Sequence, residues 1–409
     1  MKIVFVVAMN LEDFNREVSI VISEMEHSVT RDILLIHHDD GDGLSSAAIV
    51  KATAERKGYK VNSLCLEKVY PEVIESLHRD KGKIIIYADI GSSHGDLISK
   101  YNEGRNLVII LDHHNPQVAE DSKVHDLNPE YYGLRGEEDF SGATCCYLFS
   151  KLISKENVDL SYLALVGSCE IPDSFKGLNE TVLKEAIEKG IVDRRGQKIN
   201  IVKLGINVHN LFSKLQILGP VGYYECGPEL GIKACLEGIS EETKKKIEDL
   251  EEWRKRMNSK LLAILYRQRL KETAHIQWFD AGDLYKGMGS KVIGQFCSFL
   301  SYQKRLIKPD KYILGITNLQ NDVPGWGKLK GELIKASIRV PRELQRLIDQ
   351  GKYPSAVNLL IKATEGFGVA DGHEYAANVT IPSDKKEALI KNTELVINAF
   401  ITKIVGTKS

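Results

Sequence analysis

At 409 residues, the chain is longer than one ordinary hydrophobic core can organise, so two or three domains are expected. Its composition, 43% hydrophobic and 27% charged, is typical of a globular protein, and a net charge of -1 excludes a chain-wide basic field that would attract nucleic acid. The seven cysteines form no CxxC pair, which argues against a zinc knuckle or disulfide framework and predicts a reducing, cytoplasmic location. No apolar run approaches the length of a membrane span.

The first part of the chain alternates buried strands with helices. An apolar stretch at residues 3–9 predicts a buried strand, and apolar residues at helical spacing predict a helix over residues 10–28. Further strands are predicted at residues 32–36, 61–66, 84–88 and 107–111, with helices between them. This alternation predicts an α/β fold with a doubly wound, mostly parallel sheet.

Three of these strands end on side chains that can bind metal ions. The strand at 32–36 is followed by His38, Asp40 and Asp42, and the strand at 84–88 is followed by Asp89. The strand at 107–111 is followed by Asp112, His113 and His114. Parallel sheets bind ligands at the carboxyl ends of their strands, and charged groups at buried strand ends are costly unless they are paired or bind a cation. A mixed carboxylate and imidazole set favours a divalent ion such as Mn²⁺ over zinc.

Asp112-His113-His114 resembles the motif that names the DHH phosphoesterases. The resemblance extends to His38-x-Asp40-x-Asp42-Gly43, to Asp89, and to the short sequences Asn128-Pro129 and Ser141-Gly142-Ala143-Thr144. It implies an α/β domain that holds two Mn²⁺ ions, with Mg²⁺ as a possible substitute, and a smaller C-terminal domain that closes over the cleft.

The resemblance also implies a role for each site residue. Asp89 would bridge the two ions, Asp112 would orient its neighbours, and His114 would face the scissile phosphate. The HxDxDG spacing selects His38 rather than His37 as a ligand. The full set of metal ligands that it implies is His38, Asp40, Asp42, Asp89, His113 and Asp173.

The fourth motif of the family, usually Gly-x-x-x-Asp on a helix, is irregular in this chain. The matching stretch begins at Gly167, and the position of the acid holds Ile171. The ligand is then either Glu170, one place early, or Asp173, two places late and beyond a proline. We favour Asp173, because its carboxylate has the expected length, and Glu170 remains open.

The sequence predicts three parts: residues 1–238 as the DHH domain, 239–272 as a connecting helix, and 273–409 as a substrate-binding domain. Residues 180–238 are only partly interpretable. In the last part, Lys335, Ser337 and Arg339 alternate on one strand face, and the stretch around Gly372 and His373 resembles the Gly-His loop of the DHH-associated domain. The resemblance implies that Lys335, Arg339, Gly372 and His373 bind the phosphates of the substrate.

The function implied is that of a RecJ-like, Mn²⁺-dependent exonuclease that releases mononucleotides from single-stranded DNA or RNA by a two-metal mechanism. One alternative is a small-substrate DHH phosphodiesterase that acts on short oligonucleotides or cyclic dinucleotides. Another is a RecJ-like replisome scaffold that has lost catalysis and binds GINS or other replication proteins. The irregular fourth motif and the neutral charge keep the scaffold alternative open.

Overall fold

The computed structural model describes residues 11–136 and 138–406, so the strand predicted at residues 3–9 lies outside the described residues. The chain divides into two compact units. Unit 1 comprises the residues up to Glu248 together with Pro324–Trp326, and unit 2 comprises Asp249–Val323 and the residues from Gly327 onward.

Unit 1 is built on a five-stranded sheet whose strands are β1 (Asp32–His38), β2 (Lys60–Leu66), β3 (Ile84–Ala88), β4 (Leu107–Leu111) and β5 (Val124–Asp126). Their spatial order is β2-β1-β3-β4-β5, and every pairing is parallel. β3 is buried at every position, and the continuous apolar sequences of β3 and β4 suit strands that are covered on both faces.

Helices α2 (Gly41–Arg56), α3 (Pro71–His78) and α4 (Gly95–Asn102) connect the first four strands. Helix α1 (Leu11–His27) precedes β1, and α5 (Gly142–Ile153) and α6 (Ser161–Gly167) follow β5. In α1, Phe14, Val18, Val21 and Met25 recur at helical spacing and are buried. α2 contacts β1 as well as α5 and α6, which explains why its sequence is dominated by small residues. The predicted doubly wound, parallel α/β fold is confirmed.

The segment that the sequence left partly uninterpreted adds a further layer to unit 1. It contains α7 (Gly177–Glu188), β6 (Val192–Arg195), β7 (Lys198–Ile201), β8 (Ile206–Asn207), α8 (Val208–Leu218) and α9 (Gly227–Glu237). The three strands form an antiparallel sheet of order β6-β7-β8. Both α8 and α9 contact α2, so this segment packs against the helix that begins within the first metal motif, His38-x-Asp40-x-Asp42.

A long helix, α10 (Glu241–Gln268), contains the boundary between the two units. It begins after Ser240, whose hydroxyl accepts a hydrogen bond from Thr243 N at 3.1 Å and so satisfies one of the unpaired donors of the first turn. Its buried positions include Ile247, Leu250, Met257, Leu261 and Leu265.

Unit 2 contains a six-stranded mixed sheet formed by β9 (Lys271–Glu272), β10 (Ile276–Asp280), β11 (Tyr312–Asn318), β14 (Leu333–Arg339), β15 (Val369–Gly372) and β16 (Ala376–Pro382). A separate ribbon pairs β12 (Asp322–Val323) with β13 (Gly327–Lys328). The order of the larger sheet is β15-β16-β14-β11-β10-β9, in which only β10 and β11 pair in parallel among the described strands. Its helices are α11 (Lys291–Leu300), α12 (Arg342–Asp349), α13 (Ala356–Ala363) and α14 (Lys386–Gly406). The predicted smaller α/β C-terminal region is confirmed in its fold class.

Among the helices of residues 11–406 that are described, none is both long and apolar enough to cross a bilayer.

Candidate metal centre

The carboxyl ends of β1, β3 and β4 lie side by side. Ala88 at the end of β3 pairs with His37 of β1 and with Leu111 of β4. The three polar motifs predicted at the strand ends follow these positions directly, so the register of the sheet delivers them to one edge. This is the edge at which open α/β sheets bind their ligands.

At this edge, histidine and aspartate side chains form two overlapping clusters. The ligand atoms lie within 4.8 Å of one another in each cluster: one consists of His38, Asp40 and Asp89, and the other of Asp89, His113 and His114. Asp89 Oδ2 lies 3.5 Å from His38 Nδ1, and Asp89 Oδ1 lies 3.4 Å from His113 Nε2. Asp89 therefore directs one carboxylate oxygen toward each cluster.

His38, rather than His37, faces the carboxylates. His38 Nδ1 lies 3.3 Å from Asp40 Oδ2, and the other oxygen of Asp40 accepts a hydrogen bond from Gly43 N at 2.9 Å, which caps α2. His37 is buried, and its Nδ1 lies 2.8 Å from the carbonyl oxygen of His38. Burial lowers the pKa of His37 to about 4, so this ring is neutral at physiological pH.

Asp42 is held at the N-terminus of α5. Its two carboxylate oxygens accept hydrogen bonds from Gly142 N and Ala143 N, both at 2.8 Å, and its Oδ2 lies 3.8 Å from His113 Nε2. Burial, followed by the charge of Asp40, raises the pKa of Asp42 to about 7, although the two backbone donors oppose this effect. Asp42 thus connects the first motif to α5 and lies beside the cluster of Asp89, His113 and His114.

Two glycines permit the close packing of these carboxylates. A Cβ atom on Gly142 would lie 2.2 Å from Asp89 Oδ1, and one on Gly167 would lie 2.1 Å from Asp42 Oδ1. Both distances are far below van der Waals contact, so any side chain at either position would displace a carboxylate. The glycine that opens the fourth motif therefore has a steric role beside the first motif.

Asp112 orients the two histidines that follow it. Its Oδ1 accepts hydrogen bonds from His113 N at 2.8 Å and from His114 Nδ1 at 2.7 Å, and its Oδ2 accepts one from Ser92 N at 2.9 Å. Burial alone would raise the pKa of Asp112, but the charge and hydrogen bond of His114 hold it well below its usual range. Burial lowers the pKa of His114, but the charge of Asp112 and its hydrogen bond outweigh burial and raise this pKa to about 9. The His114 ring is therefore a cation at neutral pH.

Further contacts that position the histidines were not predicted. His113 Nδ1 lies 2.8 Å from the carbonyl oxygen of Gly136, and donation of its proton there leaves Nε2 as the atom directed at the carboxylates. Asn128 Nδ2 donates to the carbonyl oxygen of His114 at 2.7 Å, which gives the Asn-Pro sequence a structural role. The Gly136 contact uses a backbone atom and has no signal in the sequence, whereas Asn128 was recognisable as part of a motif.

The fourth motif departs from our expectation. Asp173 has a φ of 55°, is exposed, and pairs with Lys176 Nζ at 2.8 Å, and it belongs to neither cluster. Glu170 ends a short 3-10 helix. Beyond the effect of burial, which raises the pKa of Asp89 and lowers that of His114, the charge of Glu170 raises both pKa values. The structure therefore does not bring Asp173 to either cluster, and Glu170 is likewise exposed and belongs to neither.

The chemistry of the clusters fits a divalent cation. Burial, together with the charges of Asp42 and Asp40, raises the pKa of Asp89, and its Oδ1 makes no hydrogen bond among the described residues. Buried carboxylates in such proximity are costly unless a cation compensates their charge. The two clusters contain carboxylate oxygens and imidazole nitrogens without a thiolate, and this donor set suits Mn²⁺, or Mg²⁺, better than a structural zinc ion.

Two of the predicted substrate-binding residues lie on β14 in the interior of the unit 2 sheet. Lys335 Nζ donates to Ser290 Oγ at 3.1 Å, and Arg339 Nε donates to Ser298 Oγ at 2.9 Å. Ser290 immediately precedes α11 and Ser298 belongs to it, so this face of β14 is directed at the helix. β14 lies between two other strands of the sheet, so Lys335 and Arg339 are not on a solvent-exposed edge strand.

The other two predicted substrate-binding residues lie at the turn between β15 and β16. Gly372 has a φ of 129°, and a Cβ atom at this position would lie 2.5 Å from the carbonyl oxygen of Ala376. Its position therefore requires glycine both for backbone conformation and for space. His373 N donates to the same carbonyl oxygen at 2.7 Å.

Sequence comparisons place this site in a known class of domain. Residues 32–167 match the family model described as the DHH family, N-terminal domain. An uncharacterized protein of Methanocaldococcus jannaschii is 35% identical over 167 residues, which is 38% of this chain and 37% of that protein. The matched region thus spans well under half the length of this relative.

Comparison with solved structures identifies a RecJ-like fold. RecJ of Thermus thermophilus in complex with Mn²⁺ has a TM-score of 0.64 at 16% identity, over 94% of this chain and 55% of that chain. Exonuclease RecJ bound to manganese has a TM-score of 0.62 at 16% identity, over 94% of both chains. CDC45 of Entamoeba histolytica has a TM-score of 0.50 at 11% identity, over 94% of this chain and 99% of that chain. At these identities the likeness is one of fold.

Proposed function

We propose that this chain, whose residues 32–167 form a DHH-family N-terminal domain, is a metal-dependent phosphoesterase that hydrolyses single-stranded nucleic acid. The observation that carries the proposal is that Asp89 belongs to both His/Asp clusters, with one carboxylate oxygen near His38 and the other near His113. The proposed reaction is exonucleolytic release of mononucleotides. The RecJ-like fold supports this choice among the reactions of phosphoesterases.

The proposed metal ligands are His38, Asp40, Asp42, Asp89 and His113, with Mn²⁺ as the ion and Mg²⁺ as its substitute. When bound, such ions generate a hydroxide nucleophile at neutral pH and neutralise charge on the phosphoryl oxygens. In the fourth motif we propose Glu170 as the contributing acid, because its charge acts on Asp89 and His114. Asp173 faces Lys176 instead.

His114 is proposed to contact the scissile phosphate. Asp112, whose Oδ1 lies 2.7 Å from His114 Nδ1, raises the pKa of this ring against the effect of burial, so the ring is positively charged at neutral pH. A charged donor held in a fixed orientation stabilises the negative charge that grows on a phosphoryl oxygen in the transition state. Loss of one such donor commonly costs about 10²- to 10³-fold in turnover. Asp112 contributes by setting the orientation and charge of the ring.

The phosphates of the substrate are proposed to contact Lys335, Arg339, Gly372 and His373 in unit 2. Arginine suits this role because its planar guanidinium can bind a phosphate through two hydrogen bonds. Contacts to phosphates position a strand without reading its sequence, so cleavage should show little dependence on base sequence. Cleavage without sequence dependence would suit a degradative role.

The proposal is tested with protein that has been stripped by a chelator and reloaded with Mn²⁺ or Mg²⁺. End-labelled single-stranded and duplex DNA and RNA are incubated with it and the products are resolved by length, with Asp89→Asn as the matched inactive variant. We expect the wild-type protein to shorten single strands stepwise when a metal ion is present. The variant should not shorten them. Absence of hydrolysis of every nucleic acid with either ion would contradict the proposal.

The same assay separates the two alternatives. Hydrolysis restricted to oligonucleotides of a few residues or to cyclic dinucleotides would indicate a small-substrate phosphodiesterase. Binding of Mn²⁺ without hydrolysis would indicate a scaffold, a role for which GINS or another replication protein would be the partner to test. The clustering of His38, Asp40, Asp89 and His113 favours the enzyme, because a scaffold gains nothing from concentrating buried charge.

A further inference from the structure

Helix α8 packs directly on the loop of the first metal motif. A Cβ atom on Gly41 would lie 2.6 Å from the ring of Phe212, and a Cβ atom on Gly219 would lie 1.6 Å from the carbonyl oxygen of Asp39. The helix therefore contacts this loop at two points, one within the helix and one just after its end. The Phe212 ring lies against the residue that separates Asp40 from Asp42.

Two further aromatic rings, those of His209 and Phe175, lie near Phe212 on the same side of α8. His209 precedes Phe212 by three positions, so the two side chains are neighbours on the helix surface. The His209 ring lies 6.1 Å from the ring of Phe175, with an interplanar angle of 66°. Phe175 belongs to the loop that follows Glu170 and leads to α7. We call Phe175, His209 and Phe212 the aromatic platform; it extends from the first motif to the fourth.

Core packing does not account for the aromatic platform. The buried residues of α8 are Val208, Leu211, Leu215, Ile217 and Leu218, and they form the face that packs into unit 1. His209 is exposed, and Phe212 and Phe175 are only partly buried. The three rings therefore present aromatic surface to solvent beside a cluster of charged residues.

We propose that the aromatic platform stacks the nucleobase of the nucleotide whose phosphate is at the metal centre. This inference rests on the proposed function and specifies its substrate: a nucleotide chain, and not an inorganic polyphosphate, which has no base to stack. Aromatic rings stack on every base, so the platform tolerates sequence while it rejects an abasic residue. His209 also presents a polar edge that suits a site bordered by phosphate.

Binding of small ligands tests the platform directly. Affinities of the Mn²⁺-loaded protein are measured for deoxyadenosine 5′-monophosphate and its 3′ isomer, and for the two corresponding deoxyribose phosphates without a base. Wild-type protein is expected to prefer at least one nucleotide over its base-free partner by roughly 5- to 150-fold, the equivalent of about 1–3 kcal/mol per stacked base. His209→Ala and Phe175→Ala should lose most of this preference. Tyr302→Ala, which removes an aromatic ring that is 81% exposed in unit 2, should retain it.

Equal affinity of the wild-type protein for nucleotide and base-free phosphate would overturn the inference, as would an unchanged preference in both His209→Ala and Phe175→Ala. Phe212 is left intact in this test because its ring touches Gly41 in the metal loop. Cleavage of oligonucleotides with an intact or an abasic terminal residue is measured in parallel. If no oligonucleotide is cleaved, the proposed hydrolysis fails, while the binding measurement still decides whether the platform recognises a base.

Discussion

Replacing Asp126 by asparagine is expected to change how the stability of unit 1 depends on pH. Asp126 ends β5, where its Oδ1 accepts a hydrogen bond from Ser92 Oγ at 2.7 Å and its Oδ2 accepts one from Tyr131 at 3.3 Å. Burial raises the pKa of this carboxyl from 3.8 to about 7, against the effect of both hydrogen bonds. The ionised carboxyl is therefore disfavoured in the folded protein.

The sign and size of the effect follow from proton linkage. Because the pKa of Asp126 is higher in the folded than in the unfolded state, the folded state binds the extra proton between about pH 4 and 7, and the free energy of unfolding falls as pH rises through that window. At about 1.4 kcal/mol for each pKa unit, the loss between pH 5 and pH 8 amounts to about 2.5 kcal/mol. Asp126→Asn removes this titration, so the variant should lack that part of the decline.

The assay is native-state hydrogen exchange of the β4 amides at pH 5, 6.5 and 8 in the presence of a chelator, because these amides report the opening of unit 1. Asp121→Asn is the matched control. Although burial opposes it, hydrogen bonds from Gly104 N, Lys123 N and Asn102 lower the pKa of Asp121. Its contribution to stability is therefore constant between pH 5 and 8 and is lost only below about pH 4, so this variant should keep the wild-type decline. Equal pH dependence of the wild-type protein and Asp126→Asn would refute the reasoning.

Three further predictions concern the proposed site. Asp89→Asn should weaken Mn²⁺ binding at one or both clusters and reduce turnover by several orders of magnitude, as measured by titration calorimetry and hydrolysis; full activity in this variant would refute a shared ligand. Glu170→Gln should reduce Mn²⁺ affinity, whereas Asp173→Asn should leave it unchanged because that carboxylate pairs with a lysine at the surface; the reverse calorimetric result would restore Asp173 to the site. Arg339→Ala should weaken the binding of all single strands alike and lower the slope of log affinity against log salt by about one phosphate contact, with unchanged Mn²⁺ content; identical slopes would exclude contact with nucleic acid.

The first three motifs were recognisable from the sequence because their signals are local. Each consists of an apolar strand followed at once by acids or histidines, and the parallel register of the sheet then brings such strand ends to one edge. The choice of His38 over His37 also followed from spacing, and the structure directs His38 to Asp40 and Asp89. Alternation of apolar runs with amphipathic segments was sufficient to predict the fold class.

The fourth motif needed backbone geometry that spacing does not reveal. Asp173 adopts a positive φ, which turns its side chain toward Lys176, while Glu170 lies at the end of a helical turn. Conformations in the left-handed region depend on the packing of the whole loop, and the residue type alone does not predict them.

Strand periodicity, helix spacing and the residue types at strand ends are properties of a few consecutive positions, and they sufficed for the sheet and for most of the candidate ligands. Contacts between positions far apart in the chain required the folded structure: the α5 amides that hold Asp42 are about a hundred residues away from it, and Phe212 reaches Gly41 from a segment whose sequence carried no recognisable motif. Such contacts depend on how the helices pack over the sheet. Many sequences satisfy the same local patterns, and only the packed chain decides which distant side chains meet at the metal centre.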